Sequence, residues 1–169
     1  MATATYTPIA TTTLANSTTL SVTFNSFSGY TDLFLVYSTK SQGPYDFQGS
    51  YLTFNGDTGT NYSYTQITGD GSSAASSRQS NVSAIPSGLD IGTTQSGKWS
   101  VNTMSIMNYS NTTTYKTTLS RKNAQPSLTV ASVGLWRSTS AITSLTISRD
   151  DTNGFTTGST FTLYGIKAA

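Results

Sequence analysis

The sequence contains no cysteine and no histidine, and because all seven acidic residues are aspartate, glutamate is missing as well. Each absence removes a chemistry. Without cysteine there is no disulfide framework, so stability has to come from packing and backbone pairing. Without histidine no Ser-His-Asp or Cys-His nucleophile system can form. Zinc and blue-copper centres lose their characteristic ligands when both residue types are gone. Charge is scarce too: 9% of residues are charged, with nine Lys and Arg against seven Asp, a net charge of +2 and a pI near 8.9. The cations Lys40, Arg78, Lys98, Lys116, Arg121, Lys122, Arg137, Arg149 and Lys167 are scattered, with Arg121-Lys122 as their one doublet. Affinity for nucleic acid grows with the number of phosphates neutralised, so this dispersion argues against a nucleic-acid partner. No apolar run approaches the roughly 18 residues of a membrane-spanning helix. Residues Met1 to Tyr6 lack the basic and apolar regions of a secretory leader, which predicts synthesis in a host cytoplasm without export.

What the chain has instead is hydroxyl. Thr occurs 33 times and Ser 27 times among 169 residues. That length suits one domain with a real core. Straight-chain helix formers are few, whereas Thr, Tyr, Val, Ile and Phe fit a pleated, half-buried surface. Leu20 to Phe24 alternates, as a strand with one buried face does. Thr31 to Ser38 is a continuous apolar run, as for a central strand covered on both faces. Tyr51 to Phe54 and Tyr62 to Ile67 flank Asn55-Gly56, the short-range signature of a β-hairpin. Further strands are expected over Ile9–Leu14, Lys98–Met107, Thr113–Arg121, Leu128–Arg137, Ala141–Ser148 and Thr160–Lys167. Eight to ten strands without helices predict an all-β, antiparallel, jelly-roll-like β-sandwich in a single domain. Residues 1–16 read as an N-terminal arm and first strand, with Ala2 to Thr7 ordering only against a neighbour, and 17–169 as the sandwich. Residues 69–97, rich in Ser, Ala and Gly, read as a long surface loop, functional or partner-contacting, with at most a short helical turn around Ala74 to Arg78.

Candidate sites are few. Asp57 with Asn55 and Asn61, Asp46, and Asp150-Asp151 offer oxygen donors for calcium, but none forms a known loop pattern, and Asx-rich turns more commonly serve backbone geometry. Paired carboxylates for glycoside hydrolysis would come from Asp32, Asp46, Asp57, Asp70, Asp90, Asp150 and Asp151, each beside turn residues that favour a structural use. No catalytic residue, metal or cofactor is expected. Trp99, Trp136, Phe34, Phe54, Phe161 and Leu163 are the expected core. Tyr45, Phe47, Tyr51, Tyr62 and Tyr64 gather around the expected hairpin as an exposed aromatic surface suited to a protein or sugar. Five Asn-X-Ser/Thr sequons, at Asn16, Asn61, Asn81, Asn108 and Asn111, are what chance gives at this Ser and Thr content.

Several segments carry a family likeness. They are Tyr30-Thr31 with Asp32 to Val36, then Leu52 to Ser63, Tyr115-Lys116-Thr117, Leu119-Ser120-Arg121 and Trp136 to Thr139. Ala141 to Leu145, Gly158-Ser159 and Leu163 to Lys167 complete the set. In order and spacing the chain resembles a group of tailed-phage virion proteins. The resemblance implies a jelly-roll-like sandwich displayed on the virion, of the head decoration (cement) or tail fibre and spike type, typically trimeric and without catalytic residues. Its expected partners are further copies of itself and the major capsid protein or other virion proteins, with a host surface glycan as the alternative. A sandwich that begins almost at Met1 leaves no room for a fibre shaft, which favours capsid decoration.

Overall fold

Strand formation here follows side-chain alternation. The computed structural model describes residues 5–44, 47–91, 98–124, 128–149 and 152–167. Among them twelve strands and no helix occur: β1 (Tyr6–Thr13), β2 (Ser21–Asn25), β3 (Asp32–Thr39), β4 (Phe47–Phe54), β5 (Tyr62–Gly69), β6 (Ala74–Val82), β7 (Ile85–Ile91), β8 (Ser100–Ile106), β9 (Lys116–Ala124), β10 (Leu128–Trp136), β11 (Ser144–Arg149) and β12 (Thr160–Ile166). They form an eight-stranded sheet in the order β1-β12-β3-β8-β9-β10-β5-β6 and a four-stranded sheet in the order β2-β11-β4-β7. Every pairing is antiparallel. The all-β antiparallel sandwich expected from the sequence is thus the observed fold.

The core lies between the sheets. Leu33, Leu35, Phe161 and Leu163 of the large sheet are fully buried, as are Leu52, Leu145 and Ile147 of the small one. Each such side chain contributes about 1.5–3 kcal/mol by leaving water. At one end Tyr62 stacks on Trp136 (centroids 6.3 Å apart) and Phe54 tilts against the same indole at 5.5 Å. A buried ion pair, Arg149 to Asp90 at 2.9 Å, ties β11 to β7. The Thr39 hydroxyl donates to the same carboxylate.

Four expectations need correction. The expected loop is mostly strand: Ala74–Val82, including the stretch allowed a helical turn, pairs along β5 and Ile85–Ile91 along β4, and residues 92–97 lie outside the described residues. β6 is exposed on nearly every residue. An edge strand with neither face covered needs no apolar alternation, so its Ser- and Ala-rich sequence carries no periodic signal. Asp70 turns the chain into it, its carboxylate accepting from the amides of Ser72 and Ser73 while Gly71 takes φ +91°. Pro86 in β7 is tolerated because β7 is an edge strand. These two strands bring the number from ten to twelve.

Second, Asn55-Gly56 does not close a hairpin. Both residues have positive φ (52° and 68°), and the Asp57 amide bonds Phe54 O at 2.8 Å, a tight turn. The chain then crosses, because β4 belongs to the small sheet and β5 to the large one. Third, the expected free arm is paired from Thr5 onward, through the Lys167 amide to Thr5 O and through β1 to β12; Ala2 to Ala4 lie outside the described residues. Fourth, Trp99 and Phe34 are only half-buried, whereas Trp136, Phe54, Phe161 and Leu163 are core. Phe34 faces outward from β3 against Tyr6, so β3 is covered fully on one face and only partly on the other.

Candidate functional site

β6 has no opposing sheet, so the large sheet overhangs the small one beyond β7. The overhang leaves a step whose walls are the inner face of β5 and β6 on one side and the outer face of β4 and β7 on the other. Two adjoining clefts follow the step, of about 610 and 310 Å3, and Tyr51, Tyr64 and Pro86 line both. Alternation explains the tyrosines. Tyr51 flanks the buried Leu52 on β4 and so points out of the small sheet, while Tyr64 shares the inner face of β5 with Tyr62 but lies where the small sheet has ended.

The five aromatic residues expected to share a surface therefore separate. Tyr51 and Tyr64 meet in the cleft. Tyr62 is fully buried instead: its hydroxyl accepts from the Phe54 amide and donates to Asp57 O, both at 3.0 Å, and burial pushes its phenol up to about 12. Tyr45 and the side chain of Phe47 lie outside the described residues.

Sequence reasoning passed over the cation in the smaller cleft. β9 and β10 place polar groups on the inner face: Lys116, Thr118, Ser120 and Lys122 are buried from β9, and Ser120 and Ser132 share a hydroxyl hydrogen bond of 2.6 Å. Lys116 is satisfied, its Nζ donating to the carbonyls of Thr114 and Thr139. Lys122 is 3% exposed, lines the cleft beside Gln66 and Leu89, and has no hydrogen-bond or carboxylate partner among the described residues. Burial alone pulls its ammonium from an ordinary value near 10.5 down to about 8. The available signal was its place in the alternation, two residues from Ser120 and on the same face.

A second surface lies on the opposite side of the large sheet. Leu119 on β9 stands directly across from Val133 on β10, and Ala131 across from Ile67 on β5. Leu119 (57%), Val133 (47%) and Ile67 (61%) are strongly exposed, amid Thr65, Thr117 and Thr129, with Arg121 as a neighbouring charge.

The described aspartates are engaged structurally. Asp57 accepts from Trp136 Nε1 (2.7 Å), from Asn61 Nδ2 and from the Gly59 amide, and these bonds, the indole first, hold its carboxyl below the ordinary value. Asp32 accepts from the Asn108 amide at 2.6 Å. Asp70 caps its turn, and its carboxyl is held well below the usual range chiefly by the Ser73 and Ser72 amides. Asp90 departs from the expectation of a turn residue, being fully buried on β7 against Arg149. Asp46, Asp150 and Asp151 lie outside the described residues. No protein-family model, curated protein or solved structure matches the chain.

Proposed function

We propose that this chain is a non-enzymatic structural subunit of a phage virion, a head decoration or cement protein that assembles as a trimer. The observation that carries the reading is the exposed apolar row Leu119, Val133 and Ile67 on the outer face of the large sheet. Leu119 and Val133 are directly cross-strand, and Ile67 follows on the diagonal across from Ala131; an exposed apolar patch of this kind rimmed by polar residues supports a protein-contact role. Hydroxyls make up much of its rim, and the charges beside it are Arg121 and Arg78, which can stay in water at its edge when it is covered. The likeness to virion proteins supplies the kind of partner. Imaging of intact particles carrying a label on this chain tests the placement. Copies spread over the icosahedral shell are expected, and a cluster at one vertex would assign the chain to the tail.

A second reading, a carbohydrate-binding receptor module, is favoured by one observation: Tyr51 and Tyr64 converge in a cleft of ligand size. Adsorption of particles to host cells separates the two. Alanine at Tyr51 and Tyr64 leaves adsorption unchanged for a cement protein and abolishes it for a receptor binder.

A further inference from the structure

We propose that the cleft along β7 binds a carboxylated sugar ring, with Lys122 as the partner of the carboxylate and Tyr51 and Tyr64 as the surfaces for the ring. The inference deepens the carbohydrate-binding reading and rests on it for the sugar.

The anion follows from Lys122. A buried ammonium with no partner is costly, and proteins ordinarily pair such a charge or neutralise it. Lys122 is 97% removed from solvent by its 3% exposure, yet it lines a cavity rather than packed core, so an incoming anion can reach it. Arg149, which lines the neighbouring cleft, is committed: its Nη1 holds Asp90 and its Nε donates to Asn153 O at 2.6 Å. The site thus offers one uncommitted cation among the described residues that line it. One cation matches the single charge of a carboxylate better than a phosphate dianion, which draws several charge-assisted donors.

The sugar follows from the remainder of the lining. Tyr51 and Tyr64 both line the cleft and bring aromatic surface to it. Gln66 and Thr68 in the smaller cleft, and Gln79 and Thr53 in the larger, supply amides and hydroxyls of the kind that a ring bearing many hydroxyls can bond. The smaller cleft, about 310 Å3, falls at the lower end of the range for small-ligand sites, and its neighbour gives an oligosaccharide room to continue. A bare carboxylate would need neither tyrosine.

The test is an NMR titration of the intact chain, amide-labelled, at constant ionic strength with four probes: glucuronic acid, N-acetylneuraminic acid, glucose and sodium acetate. The two acid sugars are expected to shift the amides of Gln66, Lys122 and Leu89 and to bind about tenfold or more tightly than glucose, the value of one charge-assisted hydrogen bond. Lys122→Met should erase that difference, and Tyr64→Ala should weaken both kinds of sugar. The comparison of glucuronic acid with glucose on the unaltered chain stands even if a variant misfolds. Equal binding of glucose and glucuronic acid would overturn the carboxylate assignment while leaving the carbohydrate reading intact. Acetate binding as tightly as the acid sugars would overturn the sugar and leave an anion site. No shift with any probe at millimolar concentration would overturn both.

Discussion

Lys122→Met isolates the energetic consequence of burying an ammonium without a partner. The unfolded chain holds that charge in water with a pKa near 10.5, whereas burial in the fold lowers it to about 8. Each unit of difference corresponds to about 1.4 kcal/mol, so at pH 7 the charged lysine weakens the fold by about 3 kcal/mol. Methionine has a similar unbranched length and no charge, so it fills the same space without the penalty. The variant is therefore expected to be more stable than the parent at pH 7 by about 3 kcal/mol, or about 6–12 °C in melting temperature for a domain of this size. The pH dependence carries the sign. Below pH 8 both states of the parent bind the proton and the penalty is fully present. Between about 8 and 10.5 the unfolded chain binds more protons than the folded one, so the parent gains stability as pH rises, and the advantage of the variant shrinks. Tyr62 and Tyr37 oppose this above pH 10: burial raises both phenols, so ionisation in the unfolded chain then favours unfolding. Urea melts of parent and variant from pH 6 to 11 provide the assay. A variant less stable than the parent at pH 7, or a stability difference that does not change between pH 7 and 10, would refute the argument.

Other expected outcomes follow from the same contacts. Asp57→Ala should cost about 2 kcal/mol in chemical denaturation, because Trp136 Nε1 loses a charged acceptor at the buried end of the sandwich. The charge-dependent stability Asp57 supplies is present above the ordinary carboxylate pKa and is lost as pH falls through its lowered value, so the difference between parent and variant should shrink in strong acid to that of a neutral acceptor. Gly134→Ala should destabilise by about 1–3 kcal/mol in the same melts, since the new Cβ would stand 2.6 Å from Thr118 Oγ1 and 2.7 Å from Ile85 Cγ2. Leu119→Lys with Val133→Lys should leave the melting curve within about 0.5 kcal/mol, because both sites are exposed, yet should shift the native mass spectrum from the proposed trimer to monomer.

Legibility in the sequence tracked burial. Strands with one buried face, such as β2 and β11, announce themselves because Val22 and Phe24, or Leu145 and Ile147, recur every second residue. β6 was illegible for the opposite reason, since a strand exposed on both faces imposes no pattern on its side chains. Asn55-Gly56 gave the turn correctly but not its destination. What takes the chain across to the other sheet is a set of distant contacts, Asp57 to Trp136 and Arg137 Nη2 to Thr60 O, that no local window contains. The cleft was half visible. Aromatic clustering pointed to Tyr51 and Tyr64, but it could not separate them from Tyr62, whose position two residues earlier on the same strand face falls under the small sheet rather than beyond it. Lys122 stayed hidden because inward-facing lysines read, one residue at a time, as ordinary surface charge.

The place of β12 bears on how the molecule comes into being. It sits inside the large sheet between β1 and β3, both synthesised well before it, and pairs with both along nearly their whole length. Until residues 160–166 arrive, β3 presents an open row of backbone donors and acceptors together with the apolar side chains Leu33, Leu35 and Tyr37. The sheet cannot zip outward from a local hairpin at this point; it has to wait for a distant strand to insert. Closure over so long a stretch of chain is slow, and an unfilled slot of this kind can take up β12 from a neighbouring copy once chains are concentrated enough to compete with the tethered strand. Newly made chains at high concentration thus risk exchanging β12, and the yield of correctly closed subunits should fall as the rate of synthesis rises.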